Sequence, residues 1–125
     1  MAVALNPLFL ALISVAISVA AQFTLKAGTN LPSTKAALGT AMSWGNIYVI
    51  ASNYVLLLGL ALYALSAVLW IAVLARWDVS KAYPLVGLGF ILTLAIGAAL
   101  GEQVTVSRAL GVVLIATGIL LITRA

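Results

Sequence analysis

The chain contains no cysteine and no histidine, and only two acidic residues, Asp78 and Glu102. Without thiols or imidazoles, disulfides, thiolate chemistry and the usual zinc and haem ligand sets are excluded. Two carboxylates in different turns cannot supply a carboxylate-rich metal site, and no Ser-His-Asp arrangement can form. No cofactor is expected, and neither is an enzyme. Charge of either sign is scarce, at 6% of residues, against about 25% in ordinary soluble domains. The cations, Lys26, Lys35, Arg76, Lys81, Arg108 and Arg124, are scattered, with no basic run or aromatic-interleaved patch. Nucleic acid as a partner therefore has no support.

What is present is apolar. Of 125 residues, 66% are hydrophobic, and the mean hydropathy is +1.30. So few charges cannot keep the surface of a soluble fold wet, so the solvent for most of this chain is lipid. One domain over 1–125 is expected, as an all-α bundle of four transmembrane helices. A bilayer core needs about 20 apolar residues per helix. The first span runs from about Pro7, suited to a first helical turn, to Ala27, with Gly28, Asn30 and Pro32 as the stop. Ser18-Val19-Ala20 resembles a signal-peptide cleavage site, but no cation precedes the stretch and the stretch is long, which favours a span. The others run from about Asn53 to Ala75, Ala82 to Leu100 and Thr105 to Ile122. Between the first two, Lys35 to Ile50 reads either as an interfacial helix with Trp44 and Tyr48 at headgroup level or as an irregular loop.

Polar residues inside spans tend to face other helices or a cavity. Ser14, Ser18, Gln22 and Lys26 follow at four-residue steps and draw one slowly turning stripe down the first span. The stripe either lines a substrate cavity or packs helices, with Gln22 as interhelical glue and Lys26 reaching to the interface. In the second span Tyr63, Ser66 and Trp70 share a face, as substrate-facing groups or as packing aromatics. Tyr83 and Thr93 belong to the third, where Gly87, Gly89 and Gly97 permit close approach or a bend. Gly111 and Gly118, seven residues apart, give the fourth span a seam for helix association. No carboxylate lies in the middle of any span.

Four pieces, in order, resemble the four-span form of the drug/metabolite transporter superfamily. They are Ala21-Gln22-Phe23-Thr24-Leu25-Lys26-Ala27-Gly28, Ala82-Tyr83-Pro84, Leu100-Gly101-Glu102, and the Gly-x-x-Leu-Ile-x-x-Gly run from Gly111 to Gly118. The small multidrug resistance exporters in this superfamily carry a Glu eight residues before the Lys that matches Lys26. Here that position is Ser18, which removes their proton- and cation-binding group. Ser18-Val19-Ala20-Ala21-Gln22 instead is similar to the first-helix end of the paired subunits that flip aminoarabinose-phosphoundecaprenol across the bacterial inner membrane.

The resemblance implies a multi-pass inner-membrane flippase for a polyprenyl-phosphate-linked sugar. Alternatives are a small multidrug resistance-like exporter of amphipathic molecules and a non-transporting assembly subunit. Ser18, Gln22 and Tyr83 would then replace water around the sugar, Tyr63 or Trp70 would stack on it, and Lys26 or Arg76 would pair with phosphate. Glu102 is expected in a structural role, accepting from the first amides of the fourth helix or pairing with Arg108, with a coupling role as the alternative. Arg76, Lys81 and Arg124 fall on the side of the termini, and Lys26, Lys35 and Arg108 on the other. This even division gives no orientation by the positive-inside rule. It suggests dual insertion and an antiparallel homodimer; the similar flippase subunits suggest a heterodimer with a paralogue.

Overall fold

A computed structural model describes residues 6–124. Among them there are seven α-helices and one 3-10 turn, and no strand. Helix α1 spans Pro7–Thr29. Asn6 opens it, its side-chain oxygen accepting from the Leu8 amide at 2.9 Å, and Pro7 sits where no helical donor is lost. The short helices α2 (Pro32–Leu38) and α3 (Trp44–Ala51) follow. The continuous helix considered for 35–50 is thus two pieces. The first stops at Gly39, and Ser43 starts the second by accepting from the Asn46 amide. The Asn46 side chain ties the gap together by donating to Thr40 Oγ1 and to the Ala41 carbonyl, both at 2.8 Å.

Helix α4 (Tyr54–Leu74) is capped by Asn53. The next membrane segment, Val79–Ala99, is not one regular helix. It comprises α5 (Val79–Ala82), a 3-10 turn (Tyr83–Gly87) and α6 (Leu88–Ala99). Pro84 lies at the start of the tighter turn, where its missing N–H costs no bond. Helix α7 (Val106–Arg124) is the last. Four segments, Pro7–Thr29, Tyr54–Leu74, Val79–Ala99 and Val106–Arg124, are long and apolar enough to cross a membrane. The protein is an all-α, four-span membrane bundle.

The chain packs tightly at two levels. At the end that carries the termini, Ala11, Val73, Ala82, Leu85 and Ile119 form a buried cluster, with Leu10, Trp70, Trp77 and Leu88 against it. Lys81 lies there too, its Nζ 4.3 Å from the centre of the Trp77 ring, a cation–π contact. At the other end α1 and α4 exchange teeth. A Cβ on Gly28 would lie 2.6 Å from Leu56 Cδ2, and one on Gly59 2.7 Å from Leu25 Cδ2. In lipid the hydrophobic effect does not drive helices together, so such close van der Waals contact is what holds them. Asn53 locks this end. Its amide nitrogen donates to the Gly28 carbonyl (2.9 Å) and Thr34 Oγ1 (2.8 Å), while its oxygen accepts from the Val55 and Leu56 amides.

The remaining helices are joined more lightly. Gly89 brings α6 to α1, where a Cβ would stand 3.3 Å from Val15 Cγ1. Gly87 admits Ile119 of α7, whose Cδ1 would lie 2.7 Å from a Cβ there. Otherwise α7 is bare, with 6% of its membrane window buried against 28% for α1. A Cβ added at Gly111 or Gly118 would meet nothing within 4 Å. Gly111 borders the groove between α6 and α7, and Gly118 looks onto open space.

Candidate functional site

Between the two packed levels lies a groove of 520 Å³. Helix α1 contributes Ser14, Val15, Ser18, Val19 and Gln22. Helix α4 contributes Tyr63, Ser66, Ala67 and Trp70. The third wall is the 3-10 turn and α6, through Tyr83, Val86, Gly89, Phe90 and Thr93. Gln22, Ala67, Tyr83 and Phe90 are exposed, so the groove is open along one flank of the bundle. No charged side chain lines it.

The hydrogen bonds within the groove are directional. Ser14 Oγ donates to the Ser66 carbonyl at 2.7 Å, joining α1 to α4 in the interior. Ser18 Oγ donates to the Val15 carbonyl (2.7 Å) and Ser66 Oγ to the Tyr63 carbonyl (2.9 Å). Each serine has spent its one proton on the backbone, and only its lone pairs remain for a guest. Gln22 Nε2 donates to the Tyr63 hydroxyl across the two helices; the tyrosine proton is left to donate. The groove therefore offers serine and amide oxygens as acceptors, N–H and O–H donors on Gln22, Tyr63, Trp70, Tyr83 and Thr93, and four aromatic faces. This suits a hydroxyl-bearing head group.

Five of the seven expected substrate residues, Ser18, Gln22, Tyr63, Trp70 and Tyr83, come together here. Lys26 and Arg76 do not line the groove. The reason is helical phase: four-residue steps advance about 40° each, so by Lys26 the stripe begun at Ser14 has swung through about 120°. Arg76 lies past the end of α4. Phe90 belongs to the groove and was not expected, since a lone Phe in an apolar span carries no sequence signal.

Glu102 stands differently from expectation. Thr105 Oγ1, not Glu102, accepts from the Arg108 amide in the first turn of α7 (3.1 Å). Arg108 Nη1 donates to the Gln103 carbonyl (3.0 Å). The Glu102 side chain instead folds back over α6, where a Cβ on Gly97 would overlap its Oε2.

Comparison with known proteins gives a consistent answer. The chain is 35% identical over 121 residues to a 4-amino-4-deoxy-L-arabinose-phosphoundecaprenol flippase subunit ArnF of Photorhabdus laumondii, covering 90% of this chain and 93% of that protein. The subunit of the same name from Sodalis glossinidius is 37% identical over 116 residues, covering 90% of this chain and 86% of the relative. That of Proteus mirabilis is 32% identical over 84 residues, 65% of this chain and 61% of the relative. No protein-family model matches, and no solved structure matches.

Proposed function

The chain belongs to the family of aminoarabinose-phosphoundecaprenol flippase subunits, and we propose that its open groove carries the sugar head of a polyprenyl-phosphate-linked sugar across the bilayer. As a family member with four spans it is a multi-pass protein of the bacterial inner membrane. The observation that supports this reading is the uncharged lining of the groove, polar and aromatic, on an open flank of the bundle. The substrate has an apolar tail, a phosphate and a polar sugar. Only the head, sugar and phosphate together, needs a polar route, because the tail stays in lipid while the head slides along the flank. Serine and glutamine oxygens replace the water lost by its hydroxyls, which would otherwise be costly to bury. Trp70 and Tyr63 offer faces for the sugar ring. No covalent bond changes. Lys26 and Arg76, outside the groove and on opposite membrane sides, serve as contacts to bilayer phosphate.

An open flank with a polar floor is incomplete in lipid. A partner subunit, either a second copy or a paralogue, closes it, docking on the bare face of α7 beside Gly118. Proteoliposomes test the reading: the chain, with a paralogous subunit where it has one, should move a short-chain polyprenyl-phosphate sugar between leaflets. Ser18→Leu, which fills the groove with an apolar side chain, should stop it while the protein stays folded. Equal rates for parent and variant would remove the groove from the path.

A further inference from the structure

A second groove, of 310 Å³, lies on another side of α6, between it and α7. Phe90 and Thr93 line both grooves, so the two adjoin across α6. Most of the second groove is apolar, through Phe90, Leu94, Val112 and Ile115, but its loop end carries Glu102 and Arg108. These charges do not meet in a direct ion pair. The Arg108 guanidinium bonds the Gln103 carbonyl, and among the described residues no ion pair joins it to Glu102.

Their placement is electrostatically unusual. The Glu102 carboxylate lies over Gly97, in the last turn of α6, where the helix already presents its negative end. Arg108 lies in the first turn of α7, beside that helix's positive end. Charges placed for stability alone favour the opposite ends. Here each side chain adds to the dipole it sits on, so the groove ends in one negative and one positive pole. Gly97 is what makes room for the first: any larger residue would push the carboxylate out.

We propose that this end of the α6–α7 groove holds a zwitterionic lipid head, with a sugar ammonium at Glu102, the phosphate at Arg108 and the polyprenyl chain laid along the apolar walls. The proposal rests on the flippase reading above and adds a station beside the sugar groove. A head carrying both signs satisfies both poles and brings no net charge to the groove. The sugar then has only α6 to round, past the Thr93 hydroxyl, to reach the central groove.

Binding to the full-length chain in nanodiscs of anionic lipid, followed by native mass spectrometry, tests this. The probes are a short-chain polyprenyl phosphate bearing a 4-amino sugar and its N-formyl counterpart, which lacks the positive charge. The parent should prefer the amino form by about tenfold, the scale of one charge-assisted hydrogen bond. Glu102→Gln should bind both alike, and Arg108→Gln should weaken both by about the same factor, with partial recovery in Arg108→Lys. The ratio of two probes on one sample does not depend on how much of a variant is folded. A preference that survives in Glu102→Gln overturns the proposal, as does equal binding of both probes by the parent. Phosphatidylethanolamine competing as well as the amino probe would assign the groove to bulk lipid, and a second copy of the chain displaced by Arg108→Gln would assign it to a dimer contact; either overturns the proposal. A parent that binds neither probe defeats the flippase reading as well.

Discussion

Asn53 makes four hydrogen bonds with one side chain, linking α1, α2 and the start of α4, and it is buried. Asn53→Ala removes a helix cap and strands the Gly28 carbonyl and Thr34 hydroxyl. A loss of about 2–4 kcal/mol is expected, seen as a lower Tm in detergent and faster amide exchange over α2. In the groove, Trp70→Ala should slow flipping by about tenfold, the upper range for one aromatic contact, and a flipping assay in liposomes reads it directly. The sequence shows Asn53 as the start of a span and no more, because the partners of its amide nitrogen lie in residues 28 and 34 and only the fold brings them near. The serine and glutamine stripe is visible because its spacing is local. The end of the stripe at Gln22 is not, since the phase drift that turns Lys26 away matters only once α4 and α6 define where the groove is.

Among the elements, α1 and α4 form the tightest pair, and reciprocal Leu-x-x-Gly steps explain it. Leu25 meets Gly59, and Leu56 meets Gly28. Gly59→Val would drive a branched side chain into Leu25 and its backbone nitrogen, 3.2 Å from the first added carbon. Overpacking of this kind costs about 1–3 kcal/mol, which thermal unfolding in detergent should show. Gly97→Ala meets only the flexible end of Glu102, so stability should change little while the carboxylate is displaced. Span existence was plain from apolar length. The break of the third span into α5, a 3-10 turn and α6 was not legible, because Pro84 fits a first helical turn and Gly87, read as permitting close approach or a bend, becomes necessary only when Ile119 packs against it.

For the whole molecule, packing is unevenly shared. Helix α7 packs on α6 and on the 3-10 turn, where Ile115 and Ile119 meet Gly87, and a side chain added at Gly118 would meet only open space. Gly118→Leu should therefore leave the unfolding temperature of the isolated chain unchanged and weaken its association with a partner, measured by cross-linking in membranes. Equal cross-linking in variant and parent would move the interface elsewhere.

The exchange of teeth between α1 and α4 also fixes register. Sliding one helix along the other by about a turn would set Leu25 on Leu56, a clash, in one direction, and Gly28 on Gly59, a void, in the other. This pair can turn and tilt as one body but cannot ratchet. Within this chain, a stroke that exposes the sugar path first to one leaflet and then to the other is left to α6 and α7, moving against that fixed pair about the 3-10 turn at Tyr83–Gly87. Because the chain has no cysteine of its own, a single introduced thiol pair can read this out. Joining α1 to α4 at Leu25→Cys and Gly59→Cys should leave turnover intact, and joining α1 to α6 at Val15→Cys and Gly89→Cys should arrest it.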